Sequence, residues 1–136
     1  METIPVEFRD LLVEQATNAT FTTMSPDGLP HMSIVWVDYD ADRNRVLINT
    51  ERGRRKEKNV SRDPRAGLLA PDRDDWYRWL SVAGEVETVT TEGAREHIDA
   101  LARRYLGQET YPNPIKTERV ILELRPDRVV TFDPTG

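Results

Sequence analysis

Short β-prone segments separated by turn-forming residues recur along this 136-residue chain, and they constrain its fold more than any other feature. The spacing between turns is about ten residues, which is typical of small antiparallel barrels. The segments predicted as strands are 19–24, 30–39, 45–50, 65–70, 76–89, 120–124 and 129–132. We therefore predict a mainly β fold with peripheral helices, formed by a single domain over residues 1–136.

Three segments are predicted as helices. Residues 6–15 follow Pro5, which suits a first helical position. Residues 54–62 are predicted as a second helix that ends before Pro64, because the residue before a proline is disfavoured in helical conformation. Residues 91–105 carry apolar side chains on one face and form the clearest helix. Within the predicted strand 76–89, Gly84 is placed where a bulge or a barrel bend would fit.

Charge and composition exclude several classes of function. The chain has 19 basic and 24 acidic residues, a net charge of −5, and it is a poor candidate for nucleic-acid binding because phosphate neutralisation supplies most of that affinity. It has no cysteine, so disulfides, zinc–thiolate sites and thiol nucleophiles are excluded. Neither a signal-peptide pattern nor an apolar run of about 18 residues is present. We expect a cytoplasmic protein that binds neither nucleic acid nor membranes.

The stretch 49–64 reverses the acidic balance locally. It begins where the apolar run 46–48 stops. Its first ten residues include Arg52, Arg54, Arg55, Lys56 and Lys58, opposed only by Glu51 and Glu57. A helix N-terminus presents free N–H groups to anions, and Arg and Lys side chains add positive charge. The stretch therefore predicts an anion-binding cradle. The alternative is a solvated basic helix face, which is what charge runs usually are.

Motifs for the commonest catalytic chemistries are absent. The sequence has no metal-hydrolase or serine-hydrolase pattern and no glycine fingerprint for nucleotides, and it indicates no metal site. Of the two histidines, His31 is interpreted as an ordinary strand residue and His97 as a solvated residue on the polar side of helix 91–105. Trp36, Trp76 and Trp79 are placed either in the wall of a site for a planar ligand or in core and interface packing.

Three strings in fixed order carry a resemblance to a known family. They are TMSPDGLPHMS at 23–33, VLINT at 46–50 and RRKEKNVSRDPRA at 54–66. With these strings the chain resembles the pyridoxamine 5′-phosphate oxidase-like split barrels. Among these it is most similar to the B group of flavin/deazaflavin oxidoreductases, which use coenzyme F420 and include deazaflavin-dependent biliverdin reductases. The segments 78–84, 104–105, 112–114 and 119–123 agree, so the resemblance extends over residues 11–132.

The resemblance implies a six-stranded antiparallel split β-barrel that forms a homodimer, with a cofactor site in each groove between subunits. By matching position, Arg54 and Lys56 would bind the cofactor phosphate, with help from Thr50 and Lys58. Arg55 is adjacent to Arg54 and is an alternative for the same role. The residues that the resemblance places near the cofactor ring are Ser33, Ile34, Val35, Asn49 and, from the partner subunit, Trp79.

The activity implied is hydride transfer from reduced F420 to an unsaturated small-molecule acceptor. No proton donor is assigned, and the catalytic residues stay unknown. Basic residues beyond the phosphate position, Arg52, Lys58 and Arg62, favour F420 because that cofactor carries an oligoglutamate tail. The alternatives are an FMN-binding oxidoreductase of the same fold, a non-catalytic cofactor carrier, and a basic-helix interaction module of unrelated fold.

Overall fold

One curled antiparallel sheet of seven strands forms the body of the computed structural model, which describes residues 1–136. The strands are β1 (Ala19–Met24), β2 (Pro30–Val35), β3 (Val37–Asp40), β4 (Arg45–Glu51), β5 (Arg65–Pro71), β6 (Trp79–Thr90) and β7 (Arg119–Phe132). Their order in the sheet is β2-β1-β5-β6-β7-β4-β3. The helices are a 3₁₀ turn (Val6–Phe8), α1 (Asp10–Val13), α2 (Arg55–Arg62) and α3 (Ala94–Leu106).

The two edge strands of the sheet, β2 and β3, are consecutive in the chain and only Trp36 lies between them. One extended segment therefore leaves one edge of the sheet and continues at the other, and the sheet curls into a split barrel. The predicted fold class is confirmed. The six strands that the resemblance implied become seven, because segment 30–39 is broken at Trp36, whose ring stacks on Tyr105 at 5.0 Å instead of continuing a ladder.

The long pair β6–β7 departs from the prediction of two closing strands. Residues 119–132 form one strand, in which Gly84 pairs with Pro126 and Ala83 pairs with Arg128. Asp127 is thus the extra residue of a bulge, and a bulge is where a strand tolerates a proline. A Cβ on Gly84 would lie 1.8 Å from the carbonyl oxygen of Arg125, so only glycine permits this close approach. The prediction of a bulge or bend at Gly84 is confirmed.

The barrel core is filled by alternate strand residues and is closed by the N-terminal segment, with buried side chains that include Ile4, Leu11, Leu12, Phe21, Ile48, Leu80, Leu122 and Leu124. The predicted helix 6–15 is two short turns rather than one helix. Helix α3 begins three residues later than predicted because Gly93 adopts a left-handed φ of 71°. None of the helices has the length and hydrophobicity that a membrane span requires.

Candidate functional site

A cavity of about 250 Å³ opens where β2, β4, the start of α2 and the loop 107–118 meet. Its apolar wall is formed by Ile34, Val35, Trp36 and Ile98. Its polar lining comes from Asn49, Thr50, Glu51, Arg54, Lys56, Tyr111, Asn113 and Arg119. The cavity therefore combines an apolar side with a strongly basic side.

Three cations converge on the basic side, namely Arg54, Lys56 and Arg119. Lys56 and Arg119 are half-buried, and Arg54 lies at the exposed rim. Burial lowers the pKa of Lys56, and the positive charges of Arg54 and Arg119 lower it further. Burial likewise lowers the pKa of Arg119. Since like charges repel in a partly desolvated site, an anion placed between them would relieve the repulsion.

These cations form no direct ion pair, although the Glu51 carboxylate in the same cavity attracts Arg54 and Arg119 from a greater distance. None of the three forms an ion pair within 4.0 Å. The Glu51 carboxylate accepts the N–H groups of Lys116 and Thr117, both at 3.0 Å. Burial acts to raise its pKa, but these hydrogen bonds hold the pKa of Glu51 below its ordinary value. Glu51 therefore fastens the end of loop 107–118 to β4.

The N-terminus of α2 is open toward ligands. Arg54 is its N-cap residue and provides no side-chain hydrogen bond to the first turn. The Glu57 carboxylate instead accepts the N–H of Gly53 at 2.8 Å, one position before the cap. First-turn N–H groups without a capping side chain are available to an anion.

A chain of hydrogen bonds continues from the cavity into the protein. Arg119 Nε donates to Asn49 Oδ1 at 2.9 Å, and Asn49 Nδ2 lies 3.1 Å from His97 Nδ1. His97 Nε2 is in turn 3.0 Å from Asp38 Oδ2. The prediction that His97 is merely solvated is wrong, because the residue turns toward β3 and β4 and lies in this chain.

The three tryptophans have different environments. Trp36 lines the cavity, stacked on Tyr105 and edge-on to Tyr111 at 6.0 Å. Trp79 stacks on Phe132 at 6.1 Å, whereas Trp76 is 78% exposed in the loop between β5 and β6. Only Trp36 therefore belongs to the cavity of its own chain.

The structure brings most of the predicted cofactor residues together. Those that line the cavity are Ile34, Val35, Asn49, Thr50, Arg54 and Lys56. Arg55 and Lys58 instead line a separate concavity of about 420 Å³ together with Arg62. Ser33 does not line the cavity, and its Oγ is buried without a hydrogen-bond partner. Trp79 lies outside the cavity as well.

Sequence reasoning did not assign Arg119 or Tyr111 to the site. Arg119 enters because β7 pairs with β4 so that it lies opposite Glu51, a contact between residues far apart in the chain. Tyr111 comes from loop 107–118, and its ring lies 4.9 Å from the Arg119 guanidinium carbon. The run of Tyr, Pro and Asn at 111–114 was the available signal for a structured loop, but it carries no information about the loop's partner.

An apolar surface adjoins the cavity on the outside of the sheet. Ile34, Met32, Leu69, Val130 and Phe132 are each between 44% and 66% exposed. Three of these apolar residues lie in one row across the sheet, namely Ile34, Leu69 and Val130. The row is defined by the cross-strand pairs Ile34↔Thr20, Thr20↔Leu69, Leu69↔Ser81 and Ser81↔Val130. Ile34 belongs both to this outer face and to the cavity lining, so the cavity opens at the edge of the face.

Comparisons with known proteins agree with this architecture. The family model described as pyridoxamine 5′-phosphate oxidase matches residues 4–133. A solved structure described as an F420 reductase is 28% identical with a TM-score of 0.80, and the alignment covers 93% of this chain and 98% of that one. A conserved hypothetical protein from Mycobacterium tuberculosis is 23% identical with a TM-score of 0.72, covering 98% of this chain and 86% of the other. General Stress Protein 26 from Bacillus anthracis is 16% identical with a TM-score of 0.67, and the alignment covers 94% of this chain and 93% of that one. The last two similarities concern the fold alone.

Proposed function

The chain belongs to the pyridoxamine 5′-phosphate oxidase family, and from this premise we propose that it is an oxidoreductase that binds coenzyme F420 and reduces an unsaturated small-molecule acceptor. The observation that carries the proposal is the convergence of Arg54, Lys56 and Arg119 on one cavity with an apolar wall. The similarity to an F420 reductase supports the choice of cofactor.

The basic side of the cavity fits a phosphate group. Arg54, Lys56 and Arg119 supply charge, the Thr50 hydroxyl supplies a hydrogen-bonding group, and the uncapped first turn of α2 supplies N–H donors. We assign Arg54 rather than Arg55 to the phosphate because Arg55 faces the separate concavity. Burial, followed by the neighbouring positive charges, lowers the pKa values of Lys56 and Arg119, and a bound anion would offset both effects.

The apolar side fits a planar ring. Ile34, Val35 and Trp36 form a wall at the point where β2 ends, next to Asn49 on β4. When bound, reduced F420 supplies a hydride from its central ring carbon. The chain contributes orientation of the acceptor against the ring along this wall. We assign no acid–base side chain, and solvent supplies the proton that accompanies the hydride.

The second concavity, which we call the outer basic surface, favours F420 over FMN. Its cations are Arg55, Lys58 and Arg62, and the rest of its lining is Pro26, Gly53 and Asn59. FMN has one phosphate and no further negative group, whereas the oligoglutamate tail of F420 would complement additional basic residues. FMN stays the alternative cofactor, because the phosphate-binding residues suit either molecule.

We further propose a homodimer in which the apolar outer face is covered by a second copy. The face contains the stacked pair Trp79–Phe132 and adjoins the cavity at Ile34. Trp79 of each chain would thereby approach the groove of its partner. Sedimentation equilibrium should give twice the 15.7 kDa chain mass. A monomer that still binds cofactor would contradict the shared-groove arrangement.

One titration series tests the cofactor assignment. The protein is titrated with FMN and with F420 of increasing glutamate number at low and high salt. We expect affinity for F420 to rise with glutamate number and to fall with salt, and FMN to bind more weakly with a shallower salt dependence. FMN that is retained through purification, with no binding of F420, would replace the leading assignment by the flavin alternative.

A second experiment separates an enzyme from a carrier. Reduced F420 is bound to the protein without oxygen, and a panel of enones, quinones and tetrapyrroles is added while the cofactor absorbance is followed. An enzyme oxidises the bound cofactor in response to at least one acceptor. Equal binding without acceptor-dependent oxidation across the panel would identify a carrier. The control is free reduced F420 with each acceptor.

A further inference from the structure

We propose that His97 is a positioning residue for the anion site, which acts through Asn49 to hold the Arg119 guanidinium at the cavity. The inference deepens the proposed function and rests on it in one respect, that the cavity binds a phosphate. The hydrogen-bond chain Asp38–His97–Asn49–Arg119 connects β3, α3, β4 and β7 and supports this role.

The first link places a hydrogen on Nε2 of His97. Asp38 accepts the backbone N–H of Tyr39 at 2.9 Å, and Arg104 lies 3.4 Å from the same carboxylate oxygen. Although burial acts to raise it, the pKa of Asp38 is lowered by the hydrogen bond from His97 and by these neighbours. An ionised carboxylate only accepts hydrogen bonds, so His97 Nε2 must carry the hydrogen that points at Asp38.

The second link fixes the amide of Asn49. Its Nδ2 lies 2.8 Å from the carbonyl oxygen of Ala94, and a carbonyl oxygen cannot donate. The nitrogen must therefore face Ala94, and its second hydrogen faces His97 Nδ1 at 3.1 Å. That ring nitrogen must accept this hydrogen bond, so it carries no hydrogen itself. Together the two links define the neutral tautomer of His97 with its hydrogen on Nε2.

The third link fixes Arg119. With the amide nitrogen turned toward Ala94 and His97, Asn49 Oδ1 faces Arg119 Nε and accepts from it at 2.9 Å. The Arg119 guanidinium also lies over the Tyr111 ring and reaches the cavity. A carboxylate at position 49 would orient Arg119 equally well but would cancel its charge. A neutral amide, itself oriented by a histidine, positions the guanidinium and leaves its charge for the ligand.

The first experiment uses the wild-type protein without cofactor. The imidazole nitrogens of ¹⁵N-labelled protein are observed by NMR, and His31→Gln identifies the signals of His97. We expect His97 to have a protonated Nε2 and an unprotonated Nδ1 at neutral pH. The opposite tautomer would overturn the proposal, because Asn49 could not then hold both His97 and Arg119.

The second experiment compares ligands with and without a phosphate. FMN and riboflavin are titrated against wild type, His97→Leu and His97→Asn. Loss of one hydrogen bond in the chain should weaken FMN binding about three- to tenfold in His97→Leu and leave riboflavin within about twofold. His97→Asn retains an oxygen that can accept from Asn49, and we expect it to rescue FMN affinity.

Several results would overturn the proposal. If His97→Leu weakened the binding of FMN and of riboflavin equally, His97 would have a general structural role. The same conclusion would follow if His97→Asn bound FMN as weakly as His97→Leu does. An unchanged affinity for FMN would show that His97 does not act on the anion site. In an Arg119→Lys background the effect of His97→Leu should vanish, and an additive effect would contradict action through Arg119.

Failure of the proposed function gives a different pattern. If wild type binds neither FMN nor F420, the cofactor assignment is wrong. Inorganic phosphate is then titrated while the Arg119 Nε–H signal, identified by its loss in Arg119→Lys, is followed by NMR. A phosphate-dependent shift that is smaller in His97→Leu and restored in His97→Asn supports the positioning role. A shift that is identical in all three proteins, or no shift in any, contradicts it.

Discussion

Two arginines in this structure lie over aromatic rings at nearly equal distances and have opposite surroundings. The guanidinium carbon of Arg78 lies 5.1 Å from the centre of the Phe8 ring, and that of Arg119 lies 4.9 Å from the centre of the Tyr111 ring. Arg78 donates to both carboxylate oxygens of Asp10, at 2.7 and 3.1 Å, and to Asp72 at 2.8 Å. Arg119 has no carboxylate partner and donates its Nε–H to the neutral amide of Asn49.

The pKa values follow this difference. The pKa of Arg78 is raised, first by its hydrogen bond with Asp10. The pKa of Arg119 is lowered, first by burial. The chain has 24 acidic residues, so the lack of an acidic partner at Arg119 does not reflect a shortage of acids. We infer that Arg78 stabilises the fold by joining the N-terminal segment to the β5–β6 loop, whereas Arg119 is available for a ligand.

The largest expected effect is on stability and comes from Arg78. Arg78→Met leaves the carboxylates of Asp10 and Asp72 without their shared partner, and it removes the hydrogen bond to the carbonyl oxygen of Glu7. We expect the free energy of unfolding to fall by about 2–4 kcal/mol. Urea denaturation measures the change, and FMN affinity well below the transition should equal that of wild type. A large loss of affinity without a loss of stability would reverse the distinction between the two arginines.

The next largest effect is on cofactor binding and comes from Lys56, which has no ion-pair partner. Lys56→Met should weaken binding of a phosphate-bearing cofactor by about 1.5–3 kcal/mol, the range for a hydrogen bond to a charged group. The stability of the free protein should rise, because a half-buried charge that repels Arg54 and Arg119 is removed. Arg78→Met is the matched control, since it removes a paired cation. Unchanged cofactor affinity in Lys56→Met would contradict the anion-site assignment.

The lowered pKa of Lys56 determines how the stability of the folded state changes with pH. The unfolded chain keeps the lysine proton up to the ordinary pKa of 10.5, whereas the folded chain releases it earlier. Between the two values the unfolded state binds more protons, so the stability of the folded state rises with pH. The stability advantage of Lys56→Met over wild type should therefore be largest near neutral pH and shrink as pH approaches 10.5. An advantage that is independent of pH would show that the charge of Lys56 is not its cause.

Much of the fold could be predicted because it depends on local signals. The segment 19–24 is a strand with the predicted bounds, since alternation and turn residues encode it directly. The strand break at Trp36 and the continuous β7 could not be predicted in the same way. They depend on the stacking of Trp36 on Tyr105 and on the pairing of Gly84 with Pro126, both of which are contacts between distant segments.

The residues of the candidate site likewise differ in whether local sequence or contacts between distant segments place them. Arg54 and Lys56 lie within one short motif next to a predicted strand, so the sequence indicated them as anion-binding residues. Arg119 joins the cavity through the pairing of β4 with β7, and His97 reaches Asn49 behind the cavity through the packing of α3 on β4. A single sequence shows neither the β4–β7 pairing nor the packing of α3 on β4. The sequence also could not distinguish Arg54 from Arg55, because the direction of each side chain depends on where α2 begins, which is Arg55.

The smallest expected effect tests whether the two sides of α2 have separate roles. Lys58 is exposed on the outer basic surface, whereas Lys56 is half-buried in the cavity. Lys58→Ala should weaken binding of F420 with several glutamates by only about 0.2–1 kcal/mol, because exposed ion pairs are weak. The loss should disappear at high salt, which screens exposed charges, and FMN affinity should stay unchanged. Isothermal titration with both cofactors at two salt concentrations measures all three effects. If Lys58→Ala weakened FMN binding as strongly as Lys56→Met does, both lysines would bind the same phosphate. The outer basic surface would then have no separate role.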